Sequence, residues 1–161
     1  MQGSIQSSEH RRTRPPGYGL GALRSPIQDR KEPERVRYIL DSAFLIDHLR
    51  GVAAASARMR RLWEEGDEGM VTEVVTCEVW AGARDPDDRD LIALLEPLEF
   101  VVPGPYASMM AGRWRADARA LGRTLSLADA LIAASAEGLG AAVLTRNVRD
   151  FSLTPVRLET Y

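Results

Sequence analysis

From residue 36 onward the chain alternates short apolar runs with longer stretches of helical spacing. Residues 36–40 are mostly apolar and stop at Asp41, the pattern of a strand buried on both faces. Residues 43–50 follow as a short helix with Phe44, Leu45, His48 and Leu49 on one side and Gly51 as its stop. Residues 53–65 are rich in helix formers and end at Gly66. A second strand is expected over 70–72, then helices over 75–84 and 87–95, the latter capped from Asp85-Pro86-Asp87. Residues 100–102 read as a strand closed by Pro103, 106–121 as a long helix, and 126–137 as a helix that Gly138 and Gly140 end. Residues 142–144 and 156–158 supply two last short strands, with a loop between them. Strands that alternate with helices imply an α/β fold, a mostly parallel sheet covered by helices on both faces.

The first 35 residues lack this alternation. They hold four of the nine prolines, with Tyr18 the one aromatic side chain. Such a stretch buries too little apolar surface to offset its ordering entropy, so a disordered basic extension is expected over 1–35 and a folded domain over 36–161. Charge divides at the same point. The extension has seven basic and four acidic side chains, net +3, and the rest has 14 basic and 19 acidic, net −5. The extension is either an arm that touches RNA or a partner, or a tail without function. Gly17, Gly19 and Gly21 follow no strand and precede no helix, which removes a nucleotide loop.

Composition narrows the chemistry. Of 161 residues, 45% are hydrophobic and 27% charged, as in an ordinary globular protein. One cysteine, Cys77, excludes a disulfide framework, and two histidines, His10 and His48, leave little for a zinc site or a histidine-based triad. Cys77 is expected to be a small buried hydrophobe. No run approaches the ~20 apolar residues of a membrane span, and no hydrophobic leader opens the chain, so a cytoplasmic protein is the default expectation.

In open parallel sheets, sites form outside the carboxyl ends of the strands. Four acids lie near such ends. Asp41 closes the first strand, Glu78 lies in the helix after the second, Asp129 lies in the first turn of the helix from Ser126, and Asp150 follows the 142–144 strand. Each has a plain structural role open to it: a helix cap for Asp41, a capping box with Ser126 for Asp129, a turn for Asp150 and a solvated helix position for Glu78. The sequence around Asp41, Glu78 and Asp129 is nonetheless largely apolar, and carboxylates avoid such surroundings unless their charge is compensated. A divalent cation would compensate several at once, and oxygen-only ligands favour Mg²⁺ or Mn²⁺.

The stretch Tyr38-Ile39-Leu40-Asp41-Ser42-Ala43-Phe44-Leu45 resembles the opening of PIN-domain proteins of the VapC toxin type. Glu78-Val79-Trp80-Ala81-Gly82 is similar to the family's second motif, Ser126-Leu127-Ala128-Asp129-Ala130-Leu131 to its third, and Thr145-Arg146-Asn147-Val148-Arg149-Asp150-Phe151 to its fourth. The four motifs occur in the family's order, and the ordered set is specific where one alone is not. In many members an acid stands two residues after the fourth motif's threonine. Here that position is Asn147, and the nearest acid is Asp150. Asn147 can offer a neutral oxygen or hold a water, and Asp150 either stands in for the acid or pairs with an arginine. Val75 also occupies a position where many members carry threonine.

The resemblance implies a PIN-like three-layer α/β/α sandwich and a Mg²⁺-dependent endoribonuclease, the toxin of a type II toxin–antitoxin system. It implies Asp41, Glu78, Asp129 and Asp150 as catalytic residues. The metal ligands would be Asp41, Glu78 and Asp129, with Asn147 or Asp150 as a fourth. Ser42 and Thr145 hydroxyls would orient those ligands. One or two Mg²⁺ ions, with Mn²⁺ as a substitute, would supply a nucleophilic water, steady the leaving oxygen and shield the phosphate. A homodimer and a cognate antitoxin protein are implied as well. Read from the sequence alone, arginines are candidates to meet the RNA: Arg113, Arg115, Arg119 and Arg123 on or after one helix, and Arg146 and Arg149 in the fourth motif; the alternative is that 20 arginines to one lysine only reflect the codon bias of a high-GC genome. The alternative is a catalytically weak or inactive PIN module that binds RNA or a protein partner. A phosphotransfer enzyme is disfavoured, since neither Asp-x-Asp at Asp41 nor a Gly-rich loop ending in Lys-Ser or Lys-Thr occurs. Trp63, Trp80, Trp114, Met109 and Met110 are expected mainly in the core, or else on a partner surface.

Overall fold

The structure is a computed structural model and describes residues 35–83 and 88–161. The basic extension and the Asp85-Pro86-Asp87 turn therefore lie, apart from Arg35, outside the described residues.

Among the described residues five parallel strands form one sheet: β1 (Arg37–Leu40), β2 (Glu68–Thr72), β3 (Glu99–Val101), β4 (Ala142–Leu144) and β5 (Leu158–Glu159), in the order β3-β2-β1-β4-β5. Among the described residues seven helices complete the expected PIN-like α/β/α sandwich: α1 (Ser42–Leu49), α2 (Ala53–Glu64), α3 (Glu73–Ala81), α4 (Arg89–Leu95), α5 (Pro105–Ala120), α6 (Leu127–Leu139) and α7 (Val148–Phe151). The chain steps from β1 outward through β2 to β3, then returns to the other side of β1 for β4. The crevice at the carboxyl ends of β1 and β4 is thus the sheet's switch point, where open parallel sheets bind ligands. Among the described residues no helix is long and apolar enough to cross a membrane.

The centre is apolar. Ile39, Leu40, Phe44, Leu45, Val143, Leu144, Ile132 and Phe151 have no exposed surface. The central strands carry no alternation because helices cover the sheet on both sides. Helix ends follow sequence chemistry. Gly51, Gly66, Gly122 and Gly140 take the left-handed conformation after their helices. Gly138 does not end α6, which runs to Leu139 before Gly140 turns the chain. Asp88 caps α4 by accepting from the Asp90 and Leu91 N–H groups.

Three side-chain expectations change. Cys77 is exposed, because Val75 and Val79, one helical turn apart on α3, take the inward face. Trp63 and Trp80 are partly exposed and Met109 is 73% exposed, whereas Trp114 lies in the core. Residues 148–151, read as loop, form α7, a single turn rooted by the fully buried Phe151.

A buried charge anchors the sheet's other flank. Arg58 on α2 is 2% exposed, donates from Nε to Glu159 over 2.7 Å and lies 4.8 Å over the Tyr38 ring. The Tyr38 hydroxyl donates to the same Glu159 carboxylate at 2.6 Å. Burial and that bond push the Tyr38 hydroxyl up to about 12.

Candidate metal and phosphodiester site

The register that pairs Leu40 with Leu144 sets Asp41 and Thr145 side by side, one residue past the ends of β1 and β4. The Asp41 N–H bonds to the Leu144 carbonyl at 3.1 Å. The Thr145 hydroxyl then donates to Asp41 Oδ2 at 2.6 Å. Asp41 occupies the N-cap position of α1, yet its side chain makes no capping bond. At 4% exposure it is a buried carboxylate, and among the described residues it has no ion-pair partner. Burial raises its pKa, and the charges of Asp129 and Glu78 raise it further; the Thr145 bond and the Ser42 N–H only partly oppose them. Ser42 is half-buried at the start of α1.

Asp129 is half-buried in the first turn of α6. Its N–H donates to Ser126 Oγ at 2.9 Å, and that hydroxyl donates to Asp129 Oδ2 at 2.6 Å. The capping role is therefore real, and the carboxylate still faces Asp41 electrostatically. Glu78 is exposed on α3, so the apolar residues flanking it in sequence do not pack around it. It too acts on Asp41 through its charge.

The fourth motif closes the crevice. The Asn147 N–H donates to Thr145 Oγ1 at 2.9 Å, and Asn147 Nδ2 donates to Asp150 Oδ2 at 3.1 Å. Asp41, Thr145, Asn147 and Asp150 thus form one hydrogen-bonded chain. Asp129 and Asp150 share an open cavity of about 550 Å³ with Arg123, Thr124, Ser126 and Arg149.

A hard divalent cation fits the chemistry of this donor set: a buried carboxylate without an ion pair among the described residues, whose charge two other carboxylates oppose. Among the described residues no three His, Cys, Asp or Glu side chains already stand at the spacing of a metal cage, so the acids form an open set.

The arginines separate. Arg146 Nη1 pairs with Asp47 at 2.7 Å, and Arg115 Nε donates to the Leu125 carbonyl at 3.2 Å. Arg113 and Arg119 are exposed on α5, and Arg123 and Arg149 border the cavity. Sequence reasoning missed Asp47. It is 3% exposed on α1 and also accepts from the Tyr161 hydroxyl at 2.9 Å. Its one visible signal was an acid inside the apolar helix that follows Asp41.

The PIN domain family model matches residues 38–155. The sequence is 32% identical over 117 residues to Ribonuclease VapC19 of Mycobacterium tuberculosis, covering 73% of this chain and 94% of that protein. The fold is similar to that in VapBC2 from Rickettsia felis bound to a DNA fragment from their promoter, with TM-score 0.68, 18% identity and coverage of 78% and 99%. It is likewise similar to VapBC-1 from nontypeable Haemophilus influenzae, with TM-score 0.67, 21% identity and coverage of 78% and 98%.

Proposed function

Because this chain belongs to the PIN domain family, we propose that it is a metal-dependent endoribonuclease, the toxin of a toxin–antitoxin pair, acting on RNA in the cytoplasm. The observation that carries this reading is Asp41: a buried carboxylate at the sheet's switch point, free of any ion pair among the described residues and repelled by Asp129 and Glu78. Carboxylates whose pKa is raised by burial and like charges cluster at functional sites. The relative named as a ribonuclease supports the substrate class.

Asp41, Glu78 and Asp129 would hold Mg²⁺ or Mn²⁺, with Asn147 or Asp150 completing the set. The bound cation would supply a nucleophilic water and shield the phosphate charge. Thr145 would orient Asp41 through its bond to Oδ2. Ser126 steadies Asp129 in the same way. A cognate antitoxin and a homodimer belong to the proposal, and the likeness to VapBC assemblies supports the first.

The open spacing of the acids and Asn147 in the fourth motif favour a second reading, a PIN module that binds RNA or protein without cleaving. Expression in a bacterium separates the two. Growth arrest with RNA fragmentation, lost in Asp41→Ala, is the nuclease; equal behaviour of parent and variant excludes it.

A further inference from the structure

We infer that Arg123 and Arg149 are a phosphate-binding pair that seats the RNA backbone across the cavity beside Asp129. This inference rests on the ribonuclease reading and names how that site holds its substrate. The cavity places two guanidinium groups and two carboxylates, Asp129 and Asp150, around the same open space. Among the described residues none of these four side chains forms an ion pair within 4.0 Å. Both arginines thus line the cavity without contacting its acids at ion-pair distance. A phosphodiester is the ligand that suits such a rim, since each planar guanidinium fork can give two bonds to phosphate oxygens. The positive rim also offsets the repulsion that Asp129 and Asp150 exert on a polyanion.

Both arginines are presented by fixed backbone. Arg123 follows α5 in a Schellman turn: its N–H bonds to the Ala118 carbonyl at 2.9 Å, and the Gly122 N–H bonds to Arg119 at 2.9 Å. Gly122 makes the turn possible at φ +68°. Arg149 lies on α7, which Phe151 roots in the core, and its carbonyl accepts from Ser152 Oγ at 2.7 Å. A fixed backbone carrying an exposed, unpaired side chain lowers the ordering cost of binding. Arg146 and Arg115 are engaged elsewhere, which leaves Arg123 and Arg149 as the cavity's cations.

The test uses the full chain with a fluorescein-labelled single-stranded RNA of mixed sequence. Affinity is read by anisotropy in chelator across a salt series, and cleavage is read separately with Mg²⁺. Arg123→Gln and Arg149→Gln are each expected to weaken binding about tenfold. Each should lower the slope of log affinity against log salt by about 0.7, and raise KM more than it changes kcat. Arg157→Gln, which lies with Arg37 and Gly140 at the opposite end of the sheet, should leave the slope unchanged. If the parent binds and cleaves RNA but both variants keep its slope and KM, the phosphate pair is wrong and the nuclease stands. If the parent neither binds nor cleaves RNA, the ribonuclease reading itself fails and takes this inference with it.

Discussion

The Thr145 hydroxyl donates to Asp41 Oδ2 over 2.6 Å, joining the residues that follow β4 and β1 at the middle of the sheet. Thr145 Oγ1 in turn accepts from the Asn147 N–H, so one threonine fixes both the buried acid and the start of the fourth motif. Thr145→Val keeps the shape and removes both bonds. Cleavage should fall about 10–100-fold, as for other groups that orient a ligand. Thr145→Ser, which restores a hydroxyl, should recover most of it. Initial rates on a labelled RNA check both.

Asp41 should show a conflict between stability and function. Its folded pKa is raised, first by burial and then by Asp129 and Glu78. A raised folded pKa contributes stability at low pH, and that contribution is lost as pH rises through the folded value. In metal-free protein Asp41→Asn should therefore raise Tm at neutral pH while abolishing cleavage. Calorimetry in chelator reads the first and an RNA assay the second. An unchanged or lower Tm would remove the repulsion on which the metal proposal leans.

Glu159 works in the opposite direction. Two donors, Tyr38 and Arg58, hold its carboxyl below the usual 4.5 despite partial burial. Its contribution is complete above that value and is lost as pH falls through the lowered one. Glu159→Ala leaves the buried Arg58 with Asp67, at 3.8 Å, as its remaining ion-pair partner among the described residues; because Glu159 is 38% exposed and solvent screens the lost pair, the cost should be about 1–3 kcal/mol. Urea unfolding at neutral and acidic pH should show the gap between parent and variant narrowing in acid.

Tyr161 ties the chain's last residue to α1. Its hydroxyl donates to the buried Asp47, and its ring meets Phe44 edge-on at 4.9 Å. Tyr161→Phe keeps the ring contact and loses the bond, and should cost about 1 kcal/mol in chemical denaturation. Asp47→Ala removes the acceptor for both Tyr161 and Arg146 and should cost more.

The strands and their order of function were legible where the hydrophobic pattern was complete. Residues 37–40 run into Asp41 because a strand buried on both faces must end before it meets a charge, and Leu127–Leu139 announced itself through the Ser126–Asp129 cap. Neighbouring apolar residues misled at Cys77 and Glu78: local composition does not say which way a helix turns, and Val75 with Val79 settled that. Helix α7 was hidden because one turn carries too little periodicity. The engagement of Arg146 was hidden because its partner, Asp47, lies in a distant segment that only the fold brings near. Adjacency in space of β1 and β4 likewise had to come from the sheet order.

The most direct measurement is cleavage of a labelled RNA by the purified full chain with Mg²⁺, with Mn²⁺ and with chelator, repeated for Asp41→Asn, Glu78→Gln and Asp129→Asn. Expected is cleavage with either cation, none in chelator, and loss in all three variants. Cleavage that persists in chelator, or three variants that cut like the parent, would contradict a shared metal at these acids.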